Sequence, residues 1–316
     1  MKRILGLGLV ALALGACDGK NPLTDPAASG LDLLPGTDTA TASTPITRYE
    51  AQSVDGNGYA QAITYDATAD TFTVDNLAFD GANAYARDNV VANLGPFRVY
   101  ENDSVYFDDV TGAPINQMPH KAIFGESTSG NTRFAIVRTG AFLTYGFGGF
   151  MYERDGGVNL PTTGQATFTG KYGGLRDFNG RAELEYVTGD MAIDIDFADF
   201  NTGAGVRGTV TNRAILDVNG VDVTASVTGA LGVTTLPVLD FLIEPGVASD
   251  AGEMTGSVSS YVPATGGGVT LFESGKYYAV LSGDSAEIVG VIVVEATDAR
   301  YTGVTVRETG GFILYR

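Results

Sequence analysis

From Thr163 the chain alternates small or aromatic residues (Gly164, Ala166, Phe168, Gly170) with polar ones (Gln165, Thr167, Thr169, Lys171). A period of two is that of a half-buried β-strand. Small residues beside one large ring suit a tapering, filled barrel interior, where neighbouring side chains converge. The stretch predicts the opening strand of a small barrel. Strand-like runs follow at Arg181 to Thr188, Asp190 to Phe200, Val206 to Arg213, Glu253 to Val262, Gly275 to Ser282, Ala286 to Glu295 and Gly310 to Tyr315. Eight strands of about ten residues with their turns need on the order of 120 to 160 residues, which residues 156–316 supply. Leu231 to Leu242 has the length of a helix, but Pro237 in its middle predicts a loop and a short strand.

Residues 46–155 carry shorter runs: Ile46 to Val54, Tyr59 to Tyr65, Thr71 to Val74, Pro96 to Glu101, Lys121 to Gly125, Thr132 to Arg138 and Gly148 to Glu153. The breaks between them, such as Asp55-Gly56-Asn57-Gly58 and Ser127-Thr128-Ser129-Gly130-Asn131, are rich in residues that accept turn geometry. This predicts an antiparallel β-rich unit with one short helix near Ala86 to Leu94. The fold class is therefore all-β: an N-terminal β-rich, handle-like domain at 46–155 followed by an eight-stranded antiparallel β-barrel at 156–316.

The N-terminus changes the picture. Lys2 and Arg3 precede an apolar run from Ile4 to Leu14, then Gly15-Ala16-Cys17. This is a secretory signal over residues 1–16, too short to span a bilayer. A cysteine directly after Leu14-Gly15-Ala16 forms a lipobox, in which Cys17 receives a diacylglyceryl group. The alternative is an unmodified Cys17 in a signal cut elsewhere. Cys17 is the only cysteine, so an intramolecular disulfide has no second thiol. Asp18 to Pro45 is mostly Asn, Pro, Thr, Asp, Ala, Ser and Gly, with an apolar patch at Leu31 to Leu34, and predicts a lipidated flexible tether over 17–45. Asp18 leaves the choice of membrane open.

Of 19 Lys and Arg, processing removes Lys2 and Arg3, leaving 17 against 37 Asp and Glu, a net −20. That balance disfavours nucleic acid and attraction to anionic membranes through basic patches, and leaves the lipid at Cys17 as the membrane contact.

Three segments resemble one family. Pro161 to Gly170 is similar to the barrel-opening motif of the transferrin-binding-protein-like surface lipoproteins (proline, small residue, Gly, x, Ala, x, aromatic, x, Gly). Ile195 to Phe200 followed by Gly205 to Asn212 looks like that family's Asp-Phe, gap, Gly-Thr hairpin, and Gly283 to Val291 is similar to its late barrel hairpin. The resemblance implies a handle-like β domain before an eight-stranded barrel, and loops that capture a host protein or a metal- or haem-carrying partner. The chain departs from the family in having one handle-plus-barrel unit rather than two lobes, and in lacking a long basic or aromatic loop, so a transferrin partner is not carried over.

Other motifs have plainer readings. Gly203-Ala204-Gly205-Val206-Arg207-Gly208 fits a dinucleotide fingerprint by letter, but a strand rather than a helix should follow, so a hairpin turn is expected. His120, the only histidine, reads as an ordinary surface residue in a turn. Asp190, Asp194 and Asp196 share one strand face opposite Met191, Ile193, Ile195 and Phe197. Calcium would want more convergent oxygens, and a solvated acidic face is the simpler expectation. Phe142, Tyr145, Phe147, Phe150 and Tyr152 predict core or interface packing. Ile288 to Val294 is apolar on both strand faces, so its outward residues should be buried against residues 46–155.

No catalytic constellation, metal set or cofactor motif emerges. The expected function is a lipid-anchored cell-envelope lipoprotein, of the outer membrane by preference, that binds a protein or small-molecule ligand without catalysis. The competing reading is an integral outer-membrane β-barrel or structural envelope protein.

Overall fold

Long amphipathic strands separated by glycine-bearing turns close on themselves only when each strand can hand one face to a common interior. The computed structural model describes residues 31–53, 58–75, 84–102, 106–107, 110–115, 120–140 and 145–316. Leu31–Arg316 is one compact unit, and Cys17 and Phe142 lie outside the described residues. In chain order the early strands are β1 (Ile46–Tyr49), β2 (Ala62–Asp66), β3 (Thr71–Asp75), β4 (Ala86–Arg87), β5 (Asn93–Leu94), β6 (Phe97–Asn102), β7 (Tyr106–Phe107), β8 (Pro114–Ile115), β9 (His120–Glu126), β10 (Thr132–Thr139) and β11 (Gly148–Arg154). The later ones are β12 (Gln165–Asn179), β13 (Leu184–Asp196), β14 (Val206–Asp217), β15 (Leu239–Phe241), β16 (Glu253–Pro263), β17 (Val269–Ser282), β18 (Glu287–Thr297) and β19 (Thr305–Tyr315), with helix α1 (Thr224–Leu231) between β14 and β15.

β12 to β19 form a closed antiparallel barrel of eight strands in sequence order, and β19 returns to β12 with Thr169 opposite Tyr315. β1-β11-β10-β9-β6-β4 form an antiparallel sheet, with β5 also on β6, while β2–β3 and β7–β8 are separate hairpins. The alternation seen from Thr163 is realised: Ala166, Phe168 and Tyr172 point into the barrel core with Ile193, Ile195, Phe312 and Leu314.

The sheet lies against the outside of the barrel. Outward-facing Leu175, Val280, Val289, Val291 and Ile313 pack with Ile123, Phe134, Ile136, Phe150 and Tyr152 of the sheet, whereas Ile288, Ile292 and Val294 face the interior. The two-sided apolar pattern of β18 thus has its predicted cause: one face fills the barrel and the other meets the sheet. Each such buried side chain contributes about 1.5 to 3 kcal/mol. A further core, with Phe72, Tyr85, Tyr100 and Phe124, covers the sheet's other face.

Four expectations need correction. Ala86 to Leu94 is not a helix. The Asp88 carboxylate accepts from the amides of Val90 (2.6 Å) and Val91 (2.9 Å) and from Lys121 Nζ (2.5 Å), and this side-chain turn replaces helical hydrogen bonding between β4 and β5. The runs at 181–188 and 190–200 meet in one strand, β13, whose register against β14 shifts between Thr188 and Asp190, where β14 carries an extra residue at left-handed Asn212 (φ 50°); a bulge keeps the strands paired and re-aims side chains. Helix α1 was not anticipated. Its sequence, TASVTGAL, is poor in strong helix formers, and it is held by Val227 in the barrel core and by a left-handed Gly232 (φ 70°) at its C-terminus. His120 is buried rather than at the surface, opening β9 edge-on to Tyr85 at 6.4 Å. The loop and short strand expected around Pro237 are present as 232–238 and β15.

Candidate functional site

Charged residues on the inner parity of the barrel strands decide what the lumen can do. Arg213 of β14 is buried and donates to both Glu273 oxygens (2.8 and 2.7 Å) and to Glu308 (2.7 Å). Glu273 also accepts from Ser260 Oγ (2.5 Å), and Glu308 from Tyr172 Oη (2.9 Å). Arg176 pairs with Glu185, which is bonded in turn by Arg300 (2.6 and 3.1 Å), itself paired with Asp298 (2.6 Å). Burial pushes the Glu273 carboxyl up, but Arg213 and Ser260 outweigh it and hold it below the usual carboxylate range. Burial would likewise depress the Arg213 guanidinium, yet Glu273 and Glu308 hold it well above its ordinary value. Burial and then Glu308 push the Tyr172 phenol well up, so it stays a donor. One end of the lumen is thus cross-linked by ion pairs, and the other is filled with aliphatic and aromatic side chains.

Arginines also fasten sheet to barrel. Arg48 of β1 binds Glu253 of β16 at 2.7 and 3.0 Å. Arg138 of β10 binds Glu50 (2.8 and 3.0 Å) and Thr309 of β19 (2.9 Å). Arg154 of β11 donates to the carbonyls of Ala251 (2.9 Å) and Leu281 (2.8 Å), and also to those of Thr41 and Thr44. Arg48 likewise takes the carbonyls of Leu34 and Thr37. Residues 34–44, which composition places in the tether, are therefore fastened to the folded body.

Two of the larger concavities among the described residues lie outside the lumen. One, of about 350 Å³, lies at the seam between sheet and barrel, lined by Val90, Glu101, Lys121, Glu183, Leu184, Val218 and Asn219 among others. At this seam Lys121 Nζ bridges Asp88 (2.5 Å) and Glu101 (2.8 Å), and Tyr186 of the barrel donates to Asp88 (3.3 Å). Burial would raise Asp88, but Lys121 and the two turn amides hold it low. The Lys121 ammonium is spent on two carboxylates, and exposed Val90 (61 %) and Asn219 stand at the rim. The other concavity, about 390 Å³, runs over the outer wall of β12 to β14 past Asp194, Asp196, Arg207 and Ile243. There Asp190 meets Lys171 (2.5 Å) and Asn212 (2.9 Å), Asp194 meets Thr167 (2.6 Å), and Asp196 meets Gln165 (2.8 Å). The three aspartates do share the solvated face expected of them. Among the described residues no cluster of three or more His, Cys, Asp or Glu could hold a metal ion.

Gly203 to Gly205 end the turn leading into β14, and Val206 to Gly208 are its first residues. Of the aromatic segment, Phe150 and Tyr152 pack in the sheet–barrel interface, Phe147 packs on the sheet's other face, and Tyr145 donates to Thr305 (3.1 Å) beneath Arg307. The lumen network escaped the sequence reading. Its signal is the inward parity of β19, where Glu308 sits in register with Val306, Phe312 and Leu314.

No protein-family model and no curated protein matches the chain. Among solved structures it is similar to a double mutant of the vaccine antigen transferrin-binding protein B from Haemophilus parasuis Hp5, with 11% identity and a TM-score of 0.36, over 81% of this chain and 46% of that one. It is also similar to intact Ap-TbpB with its N and C lobes (13% identity, TM-score 0.33, 87% of this chain and 60% of that one) and to a surface lipoprotein (14% identity, TM-score 0.30, 59% and 78%). The chain thus spans about half the length of the first of these, 46%, and 60% of the second.

Proposed function

We propose that this protein is a lipid-anchored binding module of the cell envelope, held at a membrane, by preference the outer one, through an acylated Cys17. It takes its ligand at the outer surface and performs no chemistry on it. The observation that carries this reading is the filled lumen. Arg213, Glu273, Glu308 and Tyr172 bond to one another inside the barrel and the apolar core packs beside them, so among the described residues the interior is built of side chains rather than as an open ligand cavity. The seam cleft around Lys121 is the surface site of choice, because its polar groups are fixed in place from both sheet and barrel while Val90 offers apolar contact. A cleft of this size at a rigid seam suits a short segment of a partner protein.

An integral membrane barrel fits poorly. Its whole outer belt would have to face lipid, yet Val289 and Val291 face the sheet, and Asp190, Asp194 and Lys171 stand on the outer wall.

Replacing Cys17→Ser is expected to move the protein from the membrane pellet to the soluble fraction without detergent; retention in the pellet would refute lipid anchoring. A photo-crosslinking residue at Asn219 should trap a partner on cells, whereas one at exposed Val110 should not. Equal trapping at both positions would exclude the cleft.

A further inference from the structure

The β16–β17 hairpin stands clear of the barrel. β18 pairs with β17 only from Ser274 onward, so Val269 to Leu271 have only Tyr261 to Pro263 as strand partners. Tyr261 lies opposite Leu271 and Pro263 opposite Val269, which sets these four side chains on one face of the projection. All are exposed: Tyr261 by 44%, Val269 by 68% and Leu271 by 53%, with Pro263 beside them. Asp240 is paired with Ser259, and continuing that register brings exposed Val238 next to Tyr261. Residues 254–272 contain no charged side chain, although the whole chain carries 37 acidic residues against 19 basic ones.

The chain leading towards Cys17 leaves the folded body from the same wall. Asp32 pairs with Lys276, which lies on β17 a few residues from Leu271, roughly 15 Å along the strand. Between Cys17 and Leu31 the backbone reaches at most about 50 Å. That reach lets a bilayer holding the acyl chains meet the exposed face of the hairpin. An acidic protein is repelled by anionic headgroups wherever its carboxylates face them, and this hairpin is an element without that repulsion.

We propose that the exposed face of the β16–β17 hairpin docks on the lipid surface at interfacial depth, fixing how the barrel sits on its membrane; this rests on the anchoring through Cys17 proposed above. Insertion of about 5 to 10 Å places the apolar side chains at the headgroup–acyl boundary and keeps the free strand edges in the hydrated layer, where their amides stay solvated.

The chain has no tryptophan, so Val269→Trp in the soluble Cys17→Ser protein gives a single reporter. With phosphatidylcholine vesicles its emission should move to shorter wavelength and be quenched by brominated lipid. A Val110→Trp reporter, on a residue 93% exposed elsewhere, should not respond. Val269→Asp with Leu271→Asp should lower co-sedimentation with the vesicles by about tenfold or more, since each lost insertion is worth at least one decade. Unchanged thermal unfolding shows that these surface variants still fold. No emission change at position 269, or equal quenching at 110, overturns the proposal. So does a blue shift that grows with protein concentration without lipid, which would identify a second copy as the occupant. Because the assay contains no acyl anchor, its failure strikes the hairpin alone. The lipidation reading fails separately, if Cys17→Ser remains membrane-bound in cells even with both aspartates in place.

Discussion

Arg213→Met is expected to leave the protein largely unfolded at neutral pH and to recover as the medium is acidified. Arg213 is the shared cation of two buried carboxylates, Glu273 and Glu308, to which it donates at 2.7 to 2.8 Å. Removing one partner of a buried pair costs about 3 to 5 kcal/mol, because the remaining charge stays desolvated. That is a large part of the roughly 5 to 15 kcal/mol that holds a domain folded.

The pH dependence gives the sign. In the parent protein Glu273 is held below its ordinary value, so its contribution is fully present above the usual carboxylate range, about 4.3, and is lost as the pH falls through the depressed value. Without Arg213, burial dominates at Glu273, its carboxyl moves up, and protonation stabilises the folded state as the pH falls through the raised value. Urea midpoints measured from neutral pH down to about 5 should therefore rise for Arg213→Met and stay nearly flat for the parent. Adding Glu308→Gln to the variant should restore part of the loss at neutral pH. Parallel pH profiles for parent and variant would show that the network is not the source of the stability.

The strand plan was legible where a strand keeps one solvated face. β12 alternates as far as Tyr172, and that stretch placed both the barrel and its first strand. Where both faces are buried, alternation disappears, and β18 was readable only because a two-sided apolar strand must have something on each side. Ala86 to Leu94 misled because Asp88 finds its partner, Lys121, more than thirty residues away; a long-range ion pair overrides a local preference. The candidate site was the least legible part. Lys121 is the second residue of a strand read for its apolar residues, and nothing in its neighbourhood shows that Asp88, Glu101 and Tyr186 converge there. The same holds for the lumen network, because a period of two assigns a residue to a face without saying which face is wet.

Phe134→Ala is expected to cost about 3 to 5 kcal/mol, and Gly311→Val about 1 to 3 kcal/mol, while the two together cost clearly less than their sum. The Phe134 ring is fully enclosed at the sheet–barrel interface, edge-on to Phe97 at 4.9 Å. Gly125 lies opposite Phe134 on the neighbouring strand β9, and a methyl group there would overlap the Phe134 ring and sit 2.9 Å from the Phe97 ring. On the barrel side, a Cβ at Gly311 of β19 would overlap the Phe134 ring. The ring is thus held between a glycine of the sheet and a glycine of the barrel, and it has nowhere to move when Gly311 gains a side chain. Truncating the ring removes that clash and leaves a cavity that the valine can enter from the opposite wall. Urea unfolding of the parent, the two single variants and the double variant closes the cycle, with an expected coupling of about 0.5 to 3 kcal/mol in favour of the double variant. Strict additivity would mean that Gly311 and Phe134 do not share one space, and that the sheet is held to the barrel by its arginine pairs rather than by this packing.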